Sequence, residues 1–335
     1  MHKADRTRRH AKEIAVDGVL GIDIAKAKFD VALLRSAGPV RRKSFPNTTA
    51  GFAALTQWLR RYDVAHVHAA LEATGTYGDA LATWLHDAGA VVSVLNPAVI
   101  HAFAASQLAR AKTDRIDAEL IARYTATQHP PPWTPAPREI RELQALVRRL
   151  DALHGMRTQE TNRLAAGPLV AAVQTSIGVV IATLTTEIDA VQRQIRDHLG
   201  QHPGLRAQRD LLTSIPGIGE ATAAVLIAEL FDKRYASARQ AAAFAGLVPR
   251  VHQSGTLRGR GRLVKIGPGR LRKALYFPAL TALRFNPTLH ALRDRLRAAG
   301  KPPMVIVGAA MRKLIHLAFG VLKSGRAYDP TYARP

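Results

Sequence analysis

The sequence predicts an α/β N-terminal domain, a long helical arm, and a mainly α-helical C-terminal domain. Three observations predict it. Short apolar runs alternate with amphipathic segments from Val19 to Thr127, a proline-rich run follows at 129–137, and apolar residues recur at helical spacing beyond it.

Val19 to Ile24 and Phe29 to Leu34 are apolar runs of strand length, and Arg41 to Phe45 is a third candidate strand. Asn47-Thr48-Thr49 is a helix-start signal, so a helix is expected over Gly51 to Arg61. Val64 to Leu71 alternates as a half-buried strand does. Tyr77 to Asp87 reads as a helix stopping at Gly89, and Ala90 to Leu95 as a strand closed by Asn96-Pro97. Helices over Pro97 to Ala105 and Thr113 to Thr127 complete the unit. Three strands, helix, strand, helix, strand, helix is the order of an RNase H-like domain, here placed at 18–128.

Residues 129–137, His-Pro-Pro-Pro-Trp-Thr-Pro-Ala-Pro, form a stiff extended linker. Ile140, Leu143, Val147 and Leu150, then Val180, Leu184, Ile188, Val191, Ile195 and Leu199, recur at helical spacing, with Gly167-Pro168 between the two sets. They predict a helical arm over 138–204, either an antiparallel hairpin that dimerises or a plain layer packed on the next domain. Beyond it, 205–330 carries Ile215-Pro216-Gly217-Ile218-Gly219, which resembles a helix-hairpin-helix turn. Gly217 and Gly219 there would let backbone N–H groups and a helix N-terminus approach a phosphate; the alternative is a turn used for packing alone. Helices are expected over Leu271 to Phe285, Pro287 to Ala298 and Pro303 to Leu322.

Charge narrows the partner. Lys and Arg total 48 against 25 Asp and Glu, a net +23. Such an excess speeds encounter with a polyanion, so nucleic acid is the expected partner class. The chain has no cysteine, which removes disulfides, thiolate zinc sites and cysteine nucleophiles. Residues 1–17 read as a basic arm without the apolar core of a secretory signal. The apolar stretch near Ile177 to Leu184 is too short to span a bilayer. A cytoplasmic location and no membrane partner are expected.

Four carboxylates stand where chemistry could use them. Asp23 sits in Gly21-Ile22-Asp23-Ile24, and an acid in an apolar strand is costly unless paired or metal-bound. Glu72 closes another apolar strand before a Gly-containing turn. Asp114 and Asp117 share one helical face at i, i+3, where a bound cation would relieve their repulsion. Each has a plainer reading as a cap, a turn residue or a first-turn acid. Together, two strand ends and one helix supply the hard oxygen ligands that two-metal phosphoryl transfer uses.

The second candidate is Ser254, in His252-Gln253-Ser254-Gly255-Thr256. It opens a basic stretch containing Arg258, Arg260, Arg262, Lys265, Arg270, Arg272 and Lys273 without an acid. Guanidinium groups there would grip a phosphate backbone and stabilise charge on an attacked phosphate. From spacing alone Ser-Gly is a common turn pair, and a weak nucleophile at its free pKa.

In order, Gly-Ile-Asp23-Ile-Ala-Lys, Glu72-Ala-Thr-Gly, Lys-Thr-Asp114-Arg-Ile-Asp117-Ala, Ile-Pro-Gly-Ile-Gly and Gln-Ser254-Gly-Thr resemble the DEDD transposases of the insertion sequence 110 family. Phe244-Ala245-Gly246-Leu247-Val248-Pro249 and Met311-Arg312-Lys313-Leu314 resemble that family's C-terminal domain. The resemblance runs from about Val19 to Tyr328; each motif is weak alone, and the ordered set is specific. It implies a RuvC-like N-terminal domain whose Asp23, Glu72, Asp114 and Asp117 hold Mg²⁺, with Mn²⁺ as a substitute. It implies that Ser254 is a nucleophile forming a covalent phosphoserine link to DNA. It further implies recombination of donor and target double-stranded DNA guided by a structured bridge RNA, homodimers pairing into tetramers, and a prokaryotic, nucleoid-associated setting. Two rivals predict different behaviour: a RuvC-like nuclease using metal-bound water, and a non-catalytic nucleic-acid-binding protein.

Overall fold

The computed structural model describes residues 16–73, 77–107, 114–230, 235–250, 253–254, 257–258, 262–263 and 267–331. The chain divides into two compact units, Met1–Pro135 and Ala136–Pro335. The basic arm lies outside the described residues up to position 15.

Unit 1 is built on β1 (Gly18–Ile24), β2 (Lys28–Arg35), β3 (Arg41–Pro46), α1 (Thr49–Arg60), β4 (Val67–Glu72), α2 (Asp79–Asp87), β5 (Val91–Leu95), α3 (Pro97–Ser106) and α4 (Asp114–Gln128). The element order is the one expected, and the five strands form one sheet in the order β3-β2-β1-β4-β5. β1 pairs antiparallel with β2 and parallel with β4, so the sheet is mixed. The strand before α2 begins at Val67 rather than Val64, because Val64 to His66 connect α1 to the sheet and are anchored by Asp17. The Asp17 carboxylate accepts from the Ala65 and His66 N–H groups at 3.0 and 2.8 Å. Thr48 caps α1, its side chain accepting from the Gly51 N–H.

The period of two in each strand sends side chains to two faces. One face carries Leu20, Ile22, Phe29, Val31, Leu33 and Leu71 into a core with Phe52, Leu55 and Trp58 of α1 and Leu81 and Leu85 of α2. On the other face Ala70 and Leu95 meet Ile100 of α3 and Leu120 and Ile121 of α4, and Ala32 meets Ala118 and Ala122 of α4. At the centre of that face is Gly21. A Cβ there would overlap the Ala118 carbonyl oxygen and the Ala122 nitrogen. Only glycine lets the helix backbone lie this close to the strand. Arg42 of β3 and Arg123 clamp Glu119 of α4, with Arg42 Nε at 3.1 Å and Arg123 Nε at 3.0 Å. Burial pushes the Glu119 carboxyl up, but the two guanidinium groups outweigh it and hold it below the ordinary carboxylate range.

The two sheet edges differ. Arg41, Arg42 and Lys43 of the edge strand β3 are exposed. Along β5 the proline-rich run is strapped down instead of hanging free: the Trp133 N–H donates to the Val92 carbonyl at 2.6 Å, and the Ser93 hydroxyl reaches the Pro131 carbonyl at 3.0 Å.

Unit 2 begins with α5 (Arg138–Ala165) and α6 (Ala171–Gln201), an antiparallel pair broken at 166–170. Then follow α7 (Pro203–Thr213), α8 (Glu220–Glu229), α9 (Ala238–Phe244), two-residue strands β6 (Pro249–Arg250), β7 (Gln253–Ser254), β8 (Leu257–Arg258) and β9 (Arg262–Leu263), and α10 (Gly269–Phe285), α11 (Pro287–Ala298) and α12 (Pro303–Ser324). The arm expected as a separate region shares its core with the rest: Leu143, Val147, Ile188 and Ile195 belong to one cluster with Leu226, Leu275 and Leu314. The run from Ile177 to Leu184, read as too short to span a bilayer, lies inside the longer α6. Helices α6 and α12 are long and apolar enough to cross a membrane by length and composition alone. Helix α12 instead supplies Ile306, Met311, Leu314 and Ile315 to the core, whereas α6 leaves Val173, Val179 and Val180 exposed.

Two stability predictions follow from unit 1. Gly21→Ala forces α4 off the sheet and costs about 3 kcal/mol, read as a lower urea midpoint at unchanged slope; a loss below about 1 kcal/mol would show that the contact yields easily. His68 is buried with Nε2 2.9 Å from the Ser93 hydroxyl oxygen. Burial, helped by the charge of His129, lowers its pKa from the ordinary 6.5. The unfolded chain therefore binds the proton first, so the stability from neutral His68 is complete above pH 6.5 and is lost as pH falls through the depressed folded value. Urea titrations across that window should show a shallower pH slope for His68→Gln than for the wild type.

Candidate active site

Strand register brings the carboxylates together. Ile22 of β1 pairs with Leu71 of β4, so Asp23 and Glu72 are the next residues on two adjacent parallel strands. Asp23 pairs with Asp30 on β2, and Asp30 pairs with Ser44 on β3. One row across the sheet therefore reads Ser44, Asp30, Asp23, Glu72. Its residues share the parity of Gly21 and Ala32, which places the row on the face crossed by α4.

Helix α4 presents its N-terminus to this row. Ala118 and Ala122 lie over Gly21, two residues before Asp23, while His129 beyond the far end of the helix is near His68 in the first half of β4. The helix thus runs opposite to β1 and β4, and Asp117 in its first turn is at the carboxyl end of both strands. Asp23, Glu72 and Asp117 are all half-buried. The partial positive charge of a helix N-terminus favours carboxylates here. Asp114 opens α4, one turn before Asp117; its side chain is outside the described set. Among the described residues no three Asp, Glu or His groups gather tightly enough to hold one ion. The donor chemistry is nonetheless the kind that suits a hard divalent cation: carboxylate oxygens only, partly open to solvent, at the ends of adjacent strands.

Asp30 was not singled out from the sequence. It is 5% exposed, with Oδ2 accepting from Lys28 Nζ at 2.9 Å and Oδ1 accepting from the Ser44 hydroxyl. The signal was present, since Asp30 interrupts the apolar run of β2 as Asp23 interrupts that of β1.

The serine region belongs to unit 2. Ser254 ends β7 and pairs with Leu257 of β8, the inner pair of a very short hairpin whose outer pair is Gln253 and Arg258. Arg262 starts β9, which pairs with β6. His252, Arg260 and Lys265 lie outside the described residues. The other three expected phosphate contacts have internal partners. Arg270 bonds Glu229 at 2.7 Å and Asp151 at 3.4 Å, Lys273 bonds Asp151 at 2.6 Å, and Arg272 donates to the Gly267 carbonyl at 3.0 Å. Burial pushes the Asp151 carboxyl up, and Lys273 and Arg270 more than reverse it. These cations tie α10 to α5 and α8, a packing role that the basic run of sequence did not disclose.

The expected helix-hairpin-helix-like turn does join two helices, α7 and α8. Ile215 and Ile218 are buried, and Gly217 has φ +105° with its Cα against Ala282 and Pro278 of α10. Asn286 Nδ2 donates to the Pro216 carbonyl at 3.3 Å. Gly217 is thus packed closely against α10. Gly219 is exposed, has open space where a Cβ would stand, and caps α8.

Comparison with known proteins bears on both halves. Residues 20–167 match the model of the IS110 DEDD transposases, and residues 209–293 match the transposase IS116/IS110/IS902 family. The pilin gene-inverting protein of Moraxella bovis is 34% identical over 315 residues, covering 92% of this chain and 97% of that one. The transposase for insertion sequence element IS1328 of Yersinia enterocolitica is 29% identical over 290 residues, covering 77% and 81%. The Thermus thermophilus RuvC structure aligns with a TM-score of 0.25 and 15% identity over 33% of this chain and 96% of that one, too low a score to bear on the site. The two family matches and the near full-length relatives agree: the chain is a DNA-processing enzyme and belongs to the IS110 family of transposases.

Proposed function

We propose that this transposase cuts and rejoins donor and target double-stranded DNA under the guidance of a structured bridge RNA, with Asp23, Glu72, Asp114 and Asp117 as a divalent-metal site and Ser254 as the nucleophile. The observation that carries the reading is the placement of Asp23 and Glu72 on neighbouring strand ends, beneath the helix that bears Asp117. A bound Mg²⁺, or Mn²⁺ in its place, would supply neutralisation of charge at phosphate oxygens.

In this reading the Ser254 Oγ attacks phosphorus. The Oγ–P bond forms as one P–O bond of the strand breaks, the hydroxyl proton passes to solvent base, and the departing sugar oxygen takes up a proton. Attack by a sugar hydroxyl of the other DNA reverses the exchange and restores the serine, so bonds balance without an external energy source. Arg258, Arg260, Arg262 and Lys265 would hold the phosphate backbone near the serine. Guide pairing would read the sequence, which leaves the protein to recognise backbone and shape. The relatives' names describe gene inversion and transposition, both of which break and rejoin DNA. The proposed assembly is a homodimer that pairs into a tetramer, and the exposed Val173, Val179 and Val180 on α6 offer an apolar surface for contact between copies. The setting proposed is the bacterial cytoplasm, at the nucleoid.

The test is strand cleavage with donor DNA, target DNA, Mg²⁺ and RNA transcribed from the sequence flanking the gene. Wild type should form an RNA-dependent protein–DNA adduct, Ser254→Ala should form none, and Asp23→Ala should fall below about 1% of wild type. Chelation should stop the reaction, and Mg²⁺ or Mn²⁺ should restore it. Cleaved ends without adduct, unchanged in Ser254→Ala, would replace the serine step with metal-bound water. Binding without any strand chemistry would leave a non-catalytic nucleic-acid-binding protein.

A further inference from the structure

We infer that the outward face of α12, together with Arg239 of α9, binds the phosphodiester backbone of a nucleic acid, with Arg239, Arg312 and Lys313 holding phosphate oxygens and His316 donating a hydrogen bond between them. The inference adds a binding surface to the proposed function and rests on that reading for the polymer that reaches it.

Helix α12 turns Met311, Leu314, Ile315 and Ala318 into the core. At about 100° per residue, Arg312, His316 and Lys323 follow at i, i+4 and i+11 down the opposite side, with Lys313 beside them. The Met311-Arg312-Lys313-Leu314 motif therefore divides: its apolar residues pack, and its cations face outward. Helix α9 buries Ala241 and Ala242 in the same core and leaves Arg239 exposed.

Two observations set this face apart from an ordinary solvated surface. The first is its charge. Neither α9 nor α12 contains an acid. Of the other helices packed on α12, α10 has none, and Asp210 of α7 and Asp294 of α11 are each bonded to the arginine beside them in sequence. Arg239, Arg312 and Lys313 make no ion pair or side-chain hydrogen bond with the described residues, whereas Arg270 and Lys273 of α10 are held by Glu229 and Asp151. Unopposed like charges repel one another, and a polyanion relieves that repulsion.

The second is His316. It stands at the middle of the outward face, yet its Nε2 is covered and has no hydrogen-bond partner among the described residues. Burial first, then the charges of Arg312, Lys313 and Arg239, lower its pKa from the ordinary 6.5. The ring is therefore neutral at pH 7 and carries one N–H, which a phosphate oxygen held by the three cations would accept. His316 as a whole is only half-buried, so a small turn of the ring reaches such an anion.

The face also leads somewhere. Gly308, one turn before Arg312, lies against Leu263 of β9: a Cβ there would stand 3.2 Å from the Leu263 Cδ1. β9 carries Arg262 and pairs with β6, so these two strands bracket Ser254 in the chain. A backbone laid along α12 is thus brought to the ribbon on either side of the serine segment, a contact that fixes register without reading sequence.

The test uses the full chain with mixed-sequence duplex DNA and duplex RNA as separate arms. In variants that melt as the wild type does, Arg239→Gln, Arg312→Gln and Lys313→Gln together should lower the slope of log Kd against log salt by about 2 to 3 in the arm that binds here. His316→Leu should weaken binding several-fold at unchanged slope, and His316→Gln, which keeps a donor, should not. Because the chain has no cysteine, Gly320→Cys supplies a unique thiol one turn past His316, at a position with open space for a side chain. Gly200→Cys, at the exposed end of α6, is the control. Nucleic acid should slow iodoacetamide alkylation several-fold at position 320 and little at position 200. Protection by DNA alone identifies the substrate strand, protection by RNA alone the guide, and both support the surface. An unchanged salt slope in both arms, no protection at position 320 in either, or equal protection at both positions overturns the inference, whatever the cleavage assay gives. An unchanged Kd in His316→Leu overturns the role of His316. Protection at position 320 in a protein that forms no adduct and cuts no DNA would sink the recombinase reading and leave the backbone surface standing.

Discussion

The close approach of α4 to β1 at Gly21 is the contact on which the rest of unit 1 depends. The helix backbone rests on the strand backbone, and side chains do not hold the two apart. That distance sets where the first turn of α4 falls relative to the strand ends, and so where Asp117 stands relative to Asp23 and Glu72. Two further contacts keep the helix from sliding. The Ala32, Ala118 and Ala122 methyls fill the shallow space on one side of the glycine, and the Arg42–Glu119–Arg123 clamp fixes the helix laterally against β3. Small side chains permit the approach, and the charged clamp gives it a single register.

Electrostatics then explains why an acidic row is tolerated in a chain of net charge +23. The carboxylates are collected at one end of one face, where the N-terminus of α4 and the Lys28 ammonium oppose their charge. Elsewhere cations are spent on packing: Arg270 and Lys273 neutralise Asp151 and Glu229 between helices of unit 2. The high positive count is therefore divided between internal ion pairs and surface, and only the surface share acts on a polyanion at a distance.

Much of this was legible in the sequence. Apolar runs closed by acids put Asp23 and Glu72 near strand ends, and the register of β1 and β4 sets those ends side by side. Asn47-Thr48-Thr49 marked the α1 start because capping is a local hydrogen bond, and here the Thr48 side chain accepts from Gly51. What escaped depended on partners far along the chain. The Asp23–Asp30 pairing required the hairpin register, the Gly21 contact required α4 nearly a hundred positions later, and Asp151 lies over a hundred positions before Arg270 and Lys273. A run of like charges specifies attraction but not destination, which is why the pairing of Arg270 and Lys273 with Asp151 was not legible in it. The very short strands around Ser254 have no periodicity to detect, being two residues each.

The two margins of the five-stranded sheet carry one more consequence. Strands at a margin present unsatisfied backbone groups that can recruit a foreign strand. At β5 the proline-rich strap occupies that place, with Trp133 taking the Val92 carbonyl, and proline cannot donate to a further ladder. At β3 the exposed Arg41 and Lys43 would set like charges against one another if two copies met edge to edge. A nascent or crowded chain is thus guarded on one side by a covalently attached cover and on the other by repulsion, so that runaway sheet growth into aggregates is disfavoured without any additional domain.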